Sequence, residues 1–302
     1  MRRNAYLFGG IVLLASAAGM LLRITELSTL LDRRNMLMVR GAASYILLAV
    51  AILALVTLAV LARKWKAPEL PARYGPVFRG AGNLTVSAVS FAAMLGGAAL
   101  CLLRWRQEGN GFSPWLALLA VLAGCGWLSL SLDAYRKKAK GCTLAAAAMP
   151  VIFAALLLIS FYKKNAPIPA MLYTLYPFLA LTADMLALHL VAGFAGERLR
   201  PRLTVFCCGA GVVLSMISLP GVPELETRIF LAVFALELFS HAVTLLTPRE
   251  FEAADFSESV EEAASEEASE APAEEANEDA PEAAEPTEEA VEAPEALPGE
   301  AE

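Results

Sequence analysis

The sequence predicts an all-α, polytopic membrane protein with about eight transmembrane helices and a disordered acidic C-terminal tail. Two observations predict this fold class. Eight long apolar runs fill residues 1–249, and residues 250–302 then contain 21 Asp and Glu but no Lys or Arg. About 20 apolar residues cross roughly 30 Å of hydrocarbon as a helix. The first part therefore requires a bilayer, and the second part requires water.

Helices are expected in the apolar part because only helices and closed barrels satisfy every backbone polar group inside a bilayer. Barrel strands would alternate apolar and polar residues, and these runs are apolar without such alternation. The expected spans, in chain order, are 5–22, 43–62, 84–103, 115–134, 142–162, 168–195, 203–219 and 228–247.

The first apolar run has features of a signal peptide as well as of a transmembrane helix. Arg2 and Arg3, an apolar stretch and the small residues 15–17 together resemble a cleavable signal peptide. Seven further apolar runs follow it, however. We therefore expect an uncleaved first transmembrane helix.

Loop cations predict the orientation in the cell membrane. With the N-terminus inside, 15 Lys and Arg lie on the cytoplasmic side and 9 on the opposite side, as the positive-inside rule favours. Eight spans then place both termini in the cytoplasm. Four of the outer cations fall in the first outer loop, at Arg23, Arg33, Arg34 and Arg40. There the stretch 24–39 is expected to lie on the membrane surface as an amphipathic segment.

The net charge of -7 averages two different parts of the chain. Residues 1–249 hold all 24 Lys and Arg but only 10 of the 31 Asp and Glu, so this part carries +14. The tail over 250–302 carries -21, is interrupted by prolines and has few large apolar residues, which favours disorder. It is expected to be a solvated extension, or else to contact the protein's own basic loops or a basic protein partner.

Small residues repeat at four-residue spacing in two of the predicted helices, which indicates faces where helices approach closely. These helix-packing candidates are Ala93, Gly97 and Cys101 in the third span, and Cys207, Gly211 and Ser215 in the seventh.

Four ionisable residues lie well inside predicted spans: Asp184 and His189 in the sixth, Glu237 and His241 in the eighth. Such residues are costly in a membrane and are therefore candidate functional groups. Asp184 and His189 are five residues apart, about 140° around the helix, so they are not expected to share one small site. If the sixth and eighth helices are neighbours, their depths predict a carboxylate layer above a histidine layer.

In the eighth span, Glu237, Ser240, His241 and Thr244 are three or four residues apart. This spacing predicts one polar face, on which Glu237 and His241 can touch.

These groups support three functional hypotheses: a proton relay, a cation or metal site, or a polar contact for a substrate. The structural alternative is that they form hydrogen bonds between helices. The first interpretation of the chain is accordingly an accessory or structural membrane component whose acidic tail serves contact or regulation. The second is a small-solute or ion transporter or channel, proton-coupled, that uses Asp184, Glu237 and His241.

A membrane-embedded enzyme is the third interpretation, and the sequence contains no nucleophile or metal motif that favours it. HExxH, CxxC, GxGxxG, Walker and GxSxG patterns are all missing from the sequence. We therefore expect the lipid bilayer as a partner, with no cofactor, no metal and no nucleic acid.

The predicted orientation is tested by a reporter fused after Glu302. Because the cations concentrate on one side, the reporter should be active only as a cytoplasmic fusion. A fusion after residue 109, in the second predicted outer loop, serves as the matched control and should give the opposite signal. An external signal from the fusion after Glu302 would overturn the orientation.

Overall fold

The computed structural model describes residues 2–32, 37–38, 41–65, 74–109, 113–136, 143–165, 171–196 and 198–247. They all belong to one compact unit, Met1–Ala263. The helices within these residues are α1 Arg2–Leu30, α2 Ala42–Lys64, α3 Tyr74–Phe78, α4 Ala81–Glu108, α5 Ser113–Arg136, α6 Thr143–Asn165, α7 Met171–Ala192, α8 Pro201–Ser218 and α9 Leu225–Leu246. A 3-10 turn over Leu219–Gly221 joins α8 to the segment before α9.

Eight of these helices, all except α3, are long and apolar enough to cross a membrane. The predicted all-α membrane fold with eight spans is confirmed. Large apolar side chains such as Leu14, Leu53 and Trp115 are exposed on their outer faces, because the solvent there is lipid. The predicted acidic tail, 250–302, lies outside the described residues.

Helix α8 lies at the centre of the packing and contacts α1, α2, α7 and α9. Its close approach to α1 and α2 depends on Gly209, where an added Cβ would lie 3.0 Å from Phe8 and 3.1 Å from Leu58. The predicted packing candidates Cys207, Gly211 and Ser215 are all buried on this helix.

Helices α4 and α9 pack against each other along a shared seam. An added Cβ at Gly97 of α4 would lie 2.4 Å from Cε1 of Phe230 on α9. Phe230 is itself buried and meets the ring of Phe153 edge-on at 4.9 Å. Of the other two packing candidates on α4, Cys101 is buried and Ala93 is partly buried.

The first predicted loop begins too early, because α1 continues past residue 22 to Leu30. Arg23 was assigned to the outer loop, but it is 0% exposed and pairs with Glu26 at 2.6 Å. Its guanidinium also lies over the ring of Tyr176, 5.0 Å from the centroid. This internal neutralisation lets the helix carry both charges within the membrane. Because Arg23 lies within α1 and not in the outer loop, the outer side has one cation fewer. The difference in Lys and Arg counts between the two sides, which predicts the orientation, is therefore larger.

The surface segment predicted over 24–39 is therefore wrong in its first part. After α1 the chain forms an antiparallel pair of two-residue strands, β1 Leu31–Asp32 and β2 Leu37–Met38. Helix α4 is also longer than predicted and ends at Gly109, whose φ of 68° is the left-handed conformation that glycine favours.

The α4–α9 seam is tested by replacing Gly97 with Ala. Phe230 cannot move freely, so the added methyl should overpack the seam and destabilise the protein by about 1–3 kcal/mol, measured as a lower thermal unfolding midpoint in detergent. Gly96→Ala is the matched control, since an added Cβ there meets nothing within 4 Å. Equal midpoints for the two variants would contradict the seam geometry.

Candidate functional site

The polar face predicted on α9 points into the protein. Glu237 is 0% exposed and His241 is 1% exposed, and Ser240 is partly buried beside them. The rest of α9 is apolar enough to span the membrane. The helix therefore places a small polar group inside an otherwise apolar bundle, where α3, α4 and α5 complete its surroundings.

The ring of His241 is held at both nitrogens. Nδ1 lies 2.6 Å from the backbone carbonyl oxygen of Glu237, one helical turn earlier. A carbonyl oxygen only accepts, so Nδ1 carries the proton and donates it. In the neutral ring Nε2 then accepts from the hydroxyl of Tyr74, 2.9 Å away. Nδ1 is also 3.6 Å from Oε2 of Glu237.

The short helix α3 covers this site at one end. It lies between α2 and α4, on the face of the membrane where α1 begins, which we call the N-terminal face. Tyr74 and Phe78 are both buried. The ring of Phe78 meets His241 edge-on at 4.9 Å and Phe194 at 5.3 Å. The short helix Tyr74–Phe78, between two spanning helices, thus lies within the bundle.

Asn83 of α4 joins the elements around the site. Its Oδ1 accepts from the hydroxyl of Ser240 at 2.9 Å. Its Nδ2 makes longer contacts to the carbonyl of Phe78 at 3.4 Å and to the hydroxyl of Ser131 at 3.5 Å. The hydroxyls of Ser131 and Ser87 are 2.7 Å apart. One polar network therefore connects α3, α4, α5 and α9.

Sequence reasoning missed this network apart from its α9 members. A signal was present on α4, because Asn83, Ser87 and Ser90 are four and three residues apart and so share one face. Each of these residues is uncharged and common in membrane helices, so none stands out singly. Tyr74 gave no signal, since it lies in a connection and its partner is 167 residues away.

The carboxyl group of Glu237 differs from the rest of the network. The hydroxyls of Ser87 and Ser90 lie close to it, but neither carboxyl oxygen has a hydrogen-bond partner among the residues that the structure describes. The Ser90 hydroxyl is likewise without one there. A buried polar group left without a partner costs on the order of 1–3 kcal/mol, and more if it is charged.

Aromatic side chains lie on the other side of Glu237, towards the opposite face. Phe153 of α6 contacts Phe230 and Phe234 of α9, with ring centroids 4.9 and 5.9 Å away. Trp127 of α5 meets Phe234 at 6.0 Å. We call these four residues the aromatic cluster.

Beyond the aromatic cluster, Arg104 of α4 forms an ion pair with Glu226 at the start of α9. A cavity of about 10 Å³ adjoins this pair and is lined by Cys101, Glu226 and Phe230, among others. That volume holds about one water molecule. The Glu237 site is thus bounded by α3 at one end and by the aromatic cluster at the other.

Asp184 occupies a separate place, between α7 and α8. Its Oδ2 accepts a hydrogen bond from the hydroxyl of Ser215 at 2.6 Å. An added Cβ at Gly211 would lie 2.6 Å from its Oδ1 and 2.8 Å from Leu238. The small residues predicted for helix packing therefore also make room for a buried carboxyl group.

The structure brings together only two of the four ionisable candidates. Glu237 and His241 are adjacent, whereas Asp184 has its own partner on α8. His189 is exposed on the outer surface of α7, so the expected layer of two histidines does not form. Asp184 and His189 also lie apart from each other, as their spacing predicts. Within the described part of the chain, no group of three or more His, Cys, Asp and Glu could hold a metal ion.

Comparison of the chain with protein-family models, curated proteins and solved structures gave no match.

The Asp184–Ser215 hydrogen bond is tested by Ser215→Ala. This change leaves a buried carboxyl group without the donor that Ser215 supplies and should lower the free energy of unfolding by about 1–3 kcal/mol. Ser218→Ala on the same helix is the matched control, because Ser218 donates to the Leu214 carbonyl of its own helix. The chemical-denaturation curves of both variants give the comparison, and equal losses would contradict a specific role for Ser215.

Proposed function

We propose that this protein is a proton-coupled transporter or channel for a small solute or ion, in which Glu237 is the group that binds and releases the proton. The observation that supports this proposal is the carboxyl group of Glu237. It is fully buried, lies 3.6 Å from His241 and has no hydrogen-bond partner among the described residues.

A purely structural role requires that a buried carboxyl group be used in a bond between helices. Asp184 meets this requirement through one oxygen, because Oδ2 accepts from Ser215 while Oδ1 has no partner among the described residues. Glu237 does not, although hydroxyl groups of α4 lie close to it. A proton or a cation arriving at Glu237 would find those hydroxyls available as ligands or hydrogen-bond partners. The arrangement therefore suits a carboxyl group that alternately binds and releases a proton or a cation.

The position of Glu237 also suits transport. It lies in the α4–α9 seam, between α3 at one end and the aromatic cluster at the other. The residues Tyr74 and Phe78 at one end and the aromatic cluster at the other are buried. Movement of α4 against α9 would open one end at a time, as carriers require. Gly97, where an added Cβ would lie 2.4 Å from Phe230, is one point where such a movement would change the packing.

An accessory or structural role is the second candidate. It is favoured by the Asp184–Ser215 hydrogen bond and by the buried Arg23–Glu26 pair, both of which stabilise helix packing. In that case the acidic tail would provide contact or regulation, through the protein's own basic loops or a basic partner. The placement of both termini in the cytoplasm belongs to this proposal as well.

Glu237→Gln separates the two candidates. The amide keeps the shape of the side chain but cannot exchange a proton, so proton flux into proteoliposomes, followed with an internal pH-sensitive dye, should fall to the level of empty vesicles. Asp184→Asn is the matched control and should retain flux, because Asp184 lies outside the seam.

The thermal unfolding midpoint of each variant is measured alongside the flux. The proposal predicts that Glu237→Gln loses flux while remaining folded. Full flux in this variant, or a loss explained by unfolding alone, would favour the structural role.

A further inference from the structure

The hydrogen bond between His241 and Tyr74 joins the Glu237 site to the N-terminal face. We propose that Tyr74 and His241 form the route by which protons pass between the aqueous phase at that face and Glu237. This inference rests on the proposed function of Glu237 and adds the direction from which its proton arrives. It assigns a role to α3, a short helix that is otherwise only a connection between α2 and α4.

The two nitrogens of His241 face opposite ends of this route. Nε2 is 2.9 Å from the Tyr74 hydroxyl, which belongs to α3 at the N-terminal face. Nδ1 lies 3.6 Å from Oε2 of Glu237 while donating to the carbonyl of the same residue. A modest rotation of either side chain would shorten the second distance to a hydrogen bond. An imidazole ring can accept a proton at one nitrogen and release another from the second.

The transfer conserves protons at each step. When movement of α4 against α9 opens the N-terminal face, the Tyr74 hydroxyl gives its proton to Nε2 of His241 and takes one from a hydronium ion of the aqueous phase. Nδ1 of His241 gives its proton to Oε2 of Glu237, which leaves a neutral ring with the proton on Nε2. Rotation of the ring, or return of the proton by the reverse path, restores the tautomer seen in the structure.

The groups facing His241 are consistent with this role. Among the described residues, the titratable groups in contact with the ring are Glu237 on its own helix and Tyr74 on α3, and the ring of Phe78 packs against it. Burial, with a smaller contribution from the charge of Glu237, raises the pKa of Tyr74. Tyr74 therefore remains a neutral phenol that can donate and accept in turn.

Among the described residues, the other end of the site shows no comparable hydrogen-bonded connection. Phe230 of the aromatic cluster lines the cavity beside Glu226, and Phe234 lies between Phe230 and Glu237 along α9. The Phe rings of this cluster carry no group that exchanges protons, and the indole N–H of Trp127 only donates. From His241, which lies 3.6 Å from the Glu237 carboxyl group, a hydrogen bond to Tyr74 leads towards the N-terminal face.

Tyr74→Phe tests the route in the proteoliposome assay. The ring and its contact with Phe78 remain, but the exchangeable proton is removed, so proton flux should fall at least about tenfold. Tyr176→Phe is the matched control, since Tyr176 is also buried and packs on Arg23. It should leave flux unchanged.

Restoration of proton flux by a small weak acid distinguishes a missing proton donor from a structural defect, because the acid would not restore flux to a misfolded protein. Sodium azide, whose conjugate acid is small enough to deliver protons in place of a missing side chain, should restore flux in Tyr74→Phe in proportion to its concentration. The same additions to vesicles without protein give the background to be subtracted, because the neutral conjugate acid of azide crosses bilayers unaided.

The flux of the two variants distinguishes the proton route from the proposed function of Glu237. Loss of flux in Tyr74→Phe with rescue by azide supports the route. Unchanged flux in Tyr74→Phe, or a loss that azide does not restore, overturns the route while Glu237→Gln still reports on the proposed function. If Glu237→Gln itself retains flux, both the proposed function and the route are wrong.

Discussion

Inside a bilayer no bulk water satisfies a polar group, and this constraint explains most of the interior of the protein. Each buried polar side chain has to find its partner on another helix or on its own backbone. Arg23 pairs with Glu26 one turn later, and Asp184 accepts a hydrogen bond from Ser215 across the α7–α8 interface. Asn83 connects three further elements to α4. Lipid solvates the apolar outer surface, and these few polar contacts determine which helices are neighbours.

Glu237 departs from that pattern at both of its carboxyl oxygens, and the functional proposal depends on it. Its carboxyl group is buried as deeply as that of Asp184, but its oxygens have no hydrogen-bond partner within the described residues. Departures of this kind concentrate at functional sites, where a protein keeps an unfavourable group because that group acts. The neighbouring His241, which bonds Tyr74 on one side and approaches Glu237 on the other, supplies a chemical reason for the carboxyl group to be there.

The fold and half of the site could be predicted from the sequence, for a physical reason. Apolar runs of membrane length have only one stable structure in a bilayer, so eight helices followed directly. Glu237 and His241 stood out because charged residues are rare in such runs, and their spacing of four placed them together. Tyr74 and Asn83 could not be found in the same way, because their roles come from contacts between distant parts of the chain. Arg23 was misplaced because a terminal cation normally ends a span, whereas here Glu26 neutralises it.

The central claim is that Glu237 gains and loses a proton inside the membrane. Infrared difference spectroscopy of the protein in lipid bilayers, recorded across a pH series, measures this directly through the C=O stretch of a protonated carboxyl group. The account predicts a band that weakens as the pH rises, disappears in Glu237→Gln and persists in Asp184→Asn. A carboxyl band that is insensitive to Glu237→Gln, or one from Glu237 that stays constant across the pH series, would contradict it.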